Sequence, residues 1–198
     1  MRELTASKKK HASDDLRIAR AAASGDRGAT RQLAGRLLER VRTTVRYLSG
    51  DHRDQDDFVQ LSLLQIVRSA GKYEGRSSLE AWADRIVVRT TMRHLRRSRE
   101  KEARYAFDAE LDRGVREVGP DEHSRQLMRR QLSRAMQRLS AERRTAIVLR
   151  MVHGYGVEEI AEITGARVNT VRDRLARGRR QLKGMLEKDP VFAAWSGV

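Results

Sequence analysis

The stretch VEEIAEITGARVNTVRDRLARGRRQL, residues 157–182, predicts two short helices joined by a tight turn. Apolar residues recur at helical spacing on both sides of Gly165, which stands where the first helix must end and where a positive φ favours glycine. Two helices joined by so short a turn can meet only at a sharp corner, which is the geometry of a helix-turn-helix. The second helix of such a unit can lie in the major groove of DNA.

The outer face of this second helix carries side chains of the types that read base edges and hold phosphates. They are Arg167, Asn169, Thr170, Arg172, Asp173, Arg174 and Arg177. Many ordinary helical hairpins also have glycine at the turn and arginine outside, so a hairpin with a solvated basic face is the alternative. The combination of residue types favours DNA binding over that alternative.

The composition points to a helical protein with a polyanionic partner. The chain has 198 residues, a formal net charge of +15, 39% hydrophobic residues, two prolines and no cysteine. Nucleic acid is the usual partner of so basic a protein. The lack of cysteine excludes disulfides and thiolate metal sites and suits a reducing compartment. No apolar run approaches the length of a membrane span. We therefore expect a soluble, all-α, cytoplasmic protein.

An acidic segment divides the chain into two small helical domains. Between residues 105 and 123 there are six acidic and two basic residues, with Gly114 and the pair Gly119-Pro120. Such a composition without a sustained period is typical of a flexible linker. The predicted organisation is a disordered tail over 1–13, a helical domain over 14–104, the linker over 105–123, the helix-turn-helix domain over 124–186 and a tail over 187–198.

Residues 54–67, DQDDFVQLSLLQIV, predict an amphipathic helix with acidic residues in its first turn. Phe58, Leu61, Leu64 and Ile66 or Val67 are expected on its buried side. Carboxylates at a helix start complement the helix dipole and cap free N–H groups. We favour this interpretation over a metal or acid–base site, because no His or Glu stands at ligand spacing. On a basic protein, an acidic patch is equally suited to a protein partner.

A second basic helix is predicted to start near Leu79. It is expected to bury Trp82, Ile86, Val88, Met92 and Leu95, and between residues 85 and 104 it carries eight basic and two acidic residues. A solvated basic face is the alternative, but the preference for arginine beside a loop that holds Tyr73 fits backbone contact and base stacking better. Its outward arginines are Arg85, Arg89, Arg93, Arg96 and Arg97.

The second domain raises three smaller expectations. Ser140 is predicted to cap a helix whose core side holds Ala146, Ile147, Leu149 and Met151, with an incomplete capping box because Arg143 replaces Glu or Gln. Gly178 should weaken its helix by about 1 kcal/mol relative to alanine. The apolar tail residues Val191, Phe192 and Trp195 either fold back on the domain or serve a partner; the sequence leaves both open.

Signatures of catalysis are not found in the sequence. There is no phosphate-binding Gly-Lys-Ser/Thr loop, no His-Glu-His metal pattern and no nucleophile with its base. The five histidines are scattered singly. We therefore expect no enzyme activity, no cofactor and no metal.

Taken together, these segments resemble the extracytoplasmic-function type of bacterial RNA polymerase sigma factor, within the housekeeping sigma family. The opening from Leu16 through the pair Gly25-Asp26 to Leu33 looks like the first helices of that family, and DQDDFVQLSLLQIV looks like its core-binding segment. AWADRIVVRTTMRHLRR (81–97) is similar to its −10-reading helix, and the stretch from residue 139 to residue 182 to its −35-reading domain. The resemblance covers residues 14–186, with both blocks in the family's order.

The resemblance implies a role for each cluster. Docking on the clamp helices of core RNA polymerase would fall to Asp54, Asp56, Asp57, Gln60 and Leu64. Contact with the −10 strand would fall to Tyr73, Arg85, Arg89, Arg93, Arg96 and Arg97, with a flipped base received by the loop from Lys72 to Ser78. The −35 element would be addressed by Arg167, Asn169, Thr170, Arg172, Asp173, Arg174 and Arg177. The acidic linker would run through the polymerase cleft toward the RNA exit path.

The sequence departs from the family pattern at three positions. Val88-Arg89 stands where Arg-Asn is usual, Asp173 replaces a usual Ser, and Gly178 stands where Ala is expected. The first two are expected to alter promoter preference, although Asp173 could equally pair with a neighbouring arginine. None of the three should break the fold.

Two rival functions explain less of the chain. A conventional helix-turn-helix regulator, binding DNA alone, accounts for residues 157–182 but leaves the acidic helix and the second basic helix without a role. A structural or RNA-binding helical protein predicts scattered basic residues, whereas these are concentrated. We expect core RNA polymerase and promoter DNA as partners, an anti-sigma protein as a further partner, and no membrane insertion.

Overall fold

The protein is an assembly of eight α-helices, seen in a computed structural model that describes residues 2–50, 52–104, 120–189 and 192. No strand occurs among these residues, so the predicted all-α class is confirmed. The helices of the first half are α1 (Arg2–Ala23), α2 (Arg27–Ser49), α3 (Gln55–Ser69) and α4 (Leu79–Arg104), with a 3₁₀ turn at Ala70–Lys72. Those of the second half are α5 (Pro120–Gln137), α6 (Ala141–Met151), α7 (Val157–Thr164) and α8 (Val168–Leu186).

The first half is a bundle built around α2. One stripe of α2 is wholly buried, including Leu33, Leu37, Val41 and Val45, because these residues recur every three or four positions and so share one helix face. Helices α1, α3 and α4 all pack against α2. Asp26 fixes the start of α2, since its carboxylate accepts a hydrogen bond from the Ala29 N–H at 2.7 Å.

The second half packs α6, α7 and α8 around an apolar cluster. Val148, Leu149, Ile160 and Val171 are completely buried in it. Ser140 caps α6 as predicted, accepting from the Arg143 N–H at 3.4 Å. None of the described helices is long and apolar enough to cross a membrane.

At the amino terminus, the structure differs from the sequence prediction. Residues 2–13, expected to form a disordered tail, belong to α1, which runs without a break to Ala23. The segment has no Gly or Pro, and five of its twelve residues are Ala or Lys, which favour helix. The predicted linker also ends earlier than expected. Residues 120–123 form the first turn of α5, and 105–119 lie outside the described residues. So do Val191 and Trp195 of the predicted tail.

Three residues predicted in the core are exposed instead. Leu61 and Leu64 are 37% and 45% exposed on α3, and Met151 is 66% exposed at the end of α6. The side chains buried in their place are those of Val59 on α3 and Val148 on α6. An apolar run offers several faces of nearly equal hydrophobicity, and only the neighbouring helices decide which face is covered.

Gly178 also has a different role from the one expected. It is buried where α8 crosses α6, and a Cβ added there would lie 3.2 Å from Ile147 Cγ1 and 3.5 Å from Arg143 Cβ. The glycine therefore allows a close approach of two helices, in addition to any cost in helix propensity.

Candidate nucleic-acid interface

The predicted helix-turn-helix is formed by α7 and α8. Gly165 has φ = 68°, the left-handed conformation expected of it, and the Ala166 N–H returns to the Ala161 carbonyl at 3.1 Å. At the start of α7, the Gly156 N–H donates to the Glu159 carboxylate at 2.7 Å. Val171 and Leu175 anchor the inner face of α8 in the core. The inner face of α8 is therefore fixed against the core, and its opposite face is exposed.

The predicted reading residues lie on that exposed face. Six of the seven are exposed, and Arg174 is half-buried. Several are held by neighbours: Arg177 Nε donates to Asp173 Oδ1 at 2.7 Å, and Arg172 donates to Asn169 Oδ1 at 3.0 Å. Arg172 also lies 3.5 Å from Glu158 at the start of α7. Arg177 is thus held by a carboxylate, and Arg172 by an amide oxygen with a carboxylate further away, on this exposed face.

The predicted −10 surface borders a cavity of about 560 Å³ between α3, the loop before α4, and α4 itself. Its walls include Lys72, Arg76, Trp82, Arg85 and Arg89. An apolar ring inside a guanidinium rim is suited to a base with its phosphate. The arginines Arg85, Arg89, Arg93, Arg96 and Arg97 are all exposed.

Tyr73 does not offer the stacking face that the sequence suggested. It is only 3% exposed, its ring packs at a tilt 5.3 Å from that of Trp82, and its hydroxyl donates to the Ser77 carbonyl at 3.0 Å. The ring belongs to the core of the first half and supports the loop from below. Trp82, half-buried at the cavity wall, is the more accessible aromatic side chain.

The acidic start of α3 forms a second surface, next to this cavity. Asp56, Asp57 and Gln60 are exposed. Asp54 stands at the N-cap but makes no side-chain capping hydrogen bond; its carboxylate lies 3.5 Å from Arg53 Nε instead. Simple capping therefore does not explain Asp54. The exposed Leu61 and Leu64 continue the surface along the helix, and both also line the cavity described above.

A polar cluster that was not predicted from the sequence joins the two halves. Asp84 is completely buried on α4, and its Oδ2 accepts from Arg40 Nη2 at 2.7 Å and from the Tyr155 hydroxyl at 2.8 Å. Burial and the adjacent carboxylate raise the pKa of Tyr155. Burial by itself would lower the pKa of Arg40, but its bond to Asp84 outweighs that effect and raises it. A charged residue inside the apolar stripe of α4 was the signal in the sequence.

Comparison with known proteins identifies both halves. A family model described as Sigma-70 region 2 matches residues 33–101, and one described as Sigma-70, region 4 matches residues 129–182. The ECF RNA polymerase sigma-E factor of Haemophilus influenzae is 31% identical over 172 residues, covering 82% of this chain and 90% of that protein. The chain belongs to the ECF RNA polymerase sigma factors.

Other proteins are similar to this sigma factor, in sequence or in structure, over most of its length. The ECF RNA polymerase sigma factor SigM of Mycobacterium tuberculosis is 29% identical over 179 residues, covering 89% of this chain and 87% of the relative. Among solved structures, the sigma factor RpoE in complex with the anti-sigma factor NepR from Bartonella quintana has a TM-score of 0.62 at 25% identity, covering 80% of this chain and 96% of that one. CnrH in complex with the cytosolic domain of CnrY has a TM-score of 0.64 at 24% identity, with 88% and 98% covered, and supports the fold alone.

These matches assign each surface to a sigma-factor region. The region 2 match spans the acidic helix α3 and the basic helix α4, while the region 4 match contains the helix-turn-helix. The sigma factor therefore acts in promoter-specific initiation of transcription, and neither matching model describes a catalytic domain.

Proposed function

We propose that this sigma factor docks on core RNA polymerase through the acidic and apolar face of α3, contacts the −10 element with α4, and reads the −35 element with α8. The observation that carries the proposal is the presence of two arginine-rich helices, one in each half, together with an acidic helix face that DNA would repel. A conventional regulator needs only one of these three surfaces.

For polymerase docking, the key side chains are the exposed leucines of α3. Leu61 and Leu64 lie in line with Asp57 and Gln60, so an apolar patch is bordered by acidic and polar groups. A patch with an apolar centre and a polar rim is the usual anatomy of a protein interface. The acidic rim favours a basic protein partner for this patch.

A substitution can separate docking from folding. We expect Leu61→Ser and Leu64→Ser together to weaken binding to core polymerase at least about tenfold, because interface centres hold most of the binding energy. Leu127→Ser is the matched control, since Leu127 is similarly exposed at 38% but lies on α5. Titration of labelled sigma factor with purified core polymerase measures both. Equal affinities for the α3 double variant and the control would contradict the docking proposal.

For the −10 element, the cavity beside the loop from Lys72 to Ser78 is proposed to receive an unstacked base. Opening the duplex costs a few kcal/mol for each flipped base, and stacking on Trp82 plus contact of a phosphate with Arg85 or Arg89 would offset it. In this proposal Tyr73 holds the loop in place and does not touch DNA.

The whole proposal is tested by run-off transcription with core polymerase on fragments of the source genome. We expect discrete new start sites in the presence of the sigma factor. They should be lost when Arg172 and Arg174 are replaced by alanine, because bidentate arginine contacts to guanine each contribute about 1–3 kcal/mol of discrimination. Failure to bind core, combined with sequence-specific footprints by the protein alone, would favour the conventional regulator.

The remaining expectations complete this picture. We infer that the protein works in the cytoplasm, where its polymerase is, that it has no catalytic activity of its own, and that it is a distant branch of the housekeeping sigma family. An anti-sigma protein is proposed as a further partner; the solved neighbour RpoE is seen in complex with one. The identity of such a partner is open to co-purification.

A further inference from the structure

An apolar groove runs between α6 and the carboxy-terminal half of α8. On α8 its lining begins at Arg179, after the last of the predicted reading residues. The groove has a volume of about 530 Å³, and its apolar lining from these two helices consists of Ile147, Met151, Leu182 and Leu186. Ile147 is buried in the core of the second half, whereas Met151 is 66% exposed. A contiguous apolar surface that reaches from the core to solvent is suited to an occupant.

The chain turns back toward this groove directly after α8. The Asp189 N–H donates to the Leu186 carbonyl at 3.1 Å, and the Phe192 N–H donates to the Asp189 carbonyl at 3.0 Å. Pro190 stands between the two turns in the sequence, and a proline has no N–H with which to continue a helix. Phe192 is half-buried and lines the groove. The first aromatic residue after α8 thus already occupies part of it.

The charges at the rim of the groove are largely balanced. Lys183 Nζ lies 3.6 Å from Glu187 Oε1, and Arg179 Nη2 lies 4.0 Å from Met151 Sδ. The residues that follow Asp189, PVFAAWSGV (190–198), include no charged side chain. Such a segment can be buried on an apolar surface without the cost of removing a charge from water. Its composition therefore matches the groove.

The position of Trp195 in the sequence places a second aromatic side chain within reach. Residues 193–198 lie outside the described residues, but three residues of chain span at most about 10 Å, so Trp195 stays close to Phe192. A tether this short gives the segment an effective concentration in the millimolar range at the groove. An untethered apolar partner would have to compete with it.

We infer that residues 190–198 dock in the groove between α6 and α8, with Phe192 at its entrance and Trp195 filling the remainder. The docked segment connects the ends of two helices of the helix-turn-helix domain and braces the carboxy-terminal half of α8. It also closes the groove to other apolar partners. The sequence left open whether this apolar segment folds back or serves a partner, and the groove assigns it to the domain itself.

The fluorescence of Trp195 tests this inference in the full-length chain. The protein has two tryptophans, so Trp82→Phe leaves Trp195 as the single emitter. We expect its emission at shorter wavelength, and its quenching by acrylamide weaker, in the folded protein than in the same protein unfolded in urea. Met151→Asp should lower the ratio of docked to undocked Trp195 about tenfold, because a charge replaces apolar surface. Val152→Asp is the matched control, since Val152 is 37% exposed and does not line the groove.

Several results would overturn the inference. One is an emission maximum of Trp195 that is the same in the folded protein and in urea. Another is identical emission from the Met151→Asp and Val152→Asp proteins. A blue shift that disappears on dilution would show that the groove takes the segment of a second copy instead. Thermal unfolding of each variant establishes that the second half remains folded.

Dye binding measures separately whether the groove is covered. Anilinonaphthalene sulfonate is an apolar anion, which suits an apolar groove with Arg179 at its rim. We expect the Trp195→Ser protein to bind more of this dye than the wild type, and Met151→Asp in the same chain to remove the gain. Equal dye binding by wild type and Trp195→Ser would contradict the inference. Neither measurement involves polymerase or DNA, so both decide the inference independently of the proposed function.

Discussion

Gly178 and Gly184 stand in the same helix but in different surroundings. Gly178 faces Ile147 at the crossing of α6 and α8, whereas a Cβ at Gly184 would have no heavy atom within 4 Å. Both positions have ordinary helical backbone, so the difference lies in the space beside each residue.

Alanine substitutions should therefore give unequal results at these two sites. We expect Gly184→Ala to raise the free energy of unfolding by up to about 1 kcal/mol through helix propensity. Gly178→Ala should gain less or lose stability, because the methyl group presses on a buried Ile147 side chain. Urea unfolding of the two variants measures the difference. Equal gains in the free energy of unfolding would mean that the crossing of α6 and α8 accommodates the added methyl group without cost.

His153 makes stability depend on pH. Burial lowers its pKa below the ordinary value; the Asp84 carboxylate opposes that shift and the Arg40 guanidinium reinforces it. A histidine with a lowered pKa contributes its full stabilisation above the unfolded value of about 6.5 and loses it progressively as the pH falls below that value.

The wild-type protein should consequently lose more stability between pH 7.5 and pH 5.5 than a His153→Gln variant does. Denaturant unfolding at the two pH values gives both losses. The comparison with the variant removes the contribution of His94, whose pKa is also lowered by burial and neighbouring arginines. Identical pH dependence in the two proteins would show that His153 is not a source of the effect.

At the scale of the element, the recognition helix combines a fixed inner face with a partly self-paired outer face. The Asp173–Arg177 pair is exposed on both sides, at 53% and 61%. Exposed pairs of this spacing contribute only about 0.3–0.5 kcal/mol to stability. In the proposed reading of the −35 element by α8, the pair has a larger effect, because a guanidinium bonded to Asp173 is held away from other acceptors.

Asp173→Ala should therefore change promoter preference while leaving stability almost unchanged. We expect the released Arg177 to shift the base preferred at one −35 position toward guanine, its usual partner. Selection from promoters with a randomised −35 element, using the reconstituted holoenzyme, records the preference. A double variant with Asp173→Ala and Arg177→Ala should not show this shift toward guanine. If the preferred −35 sequence is unchanged, neither Asp173 nor Arg177 takes part in base recognition.

On the scale of the whole molecule, the excess of basic residues sets the behaviour of the free protein on DNA. A net charge of +15 attracts any duplex. If six or more of the α4 and α8 arginines contact phosphates, affinity for DNA without a promoter should fall about a thousandfold or more between 50 mM and 200 mM salt. Fluorescence anisotropy at several salt concentrations measures the slope. A shallow slope would indicate that these faces are not phosphate-binding surfaces.

Local patterns in the sequence were sufficient for much of the architecture. The helix-turn-helix was predictable because Gly165 and the apolar spacing around it leave one geometry for the chain, and the basic face of α8 follows from that geometry. The all-α class and the separation into two halves follow in the same way, from residue preferences and a change in composition. These features depend on interactions within a few turns of chain.

Only the tertiary structure decided which faces meet. Leu61, Leu64 and Val88 were expected in the first core, but the first two are exposed and the third packs against the second half. The hydrogen bond from the Tyr155 hydroxyl to Asp84 joins residues 71 positions apart, for which no local pattern exists. A helix face is fixed by periodicity, whereas its partner is fixed by the competition of all apolar faces for burial, and that competition involves the whole chain at once.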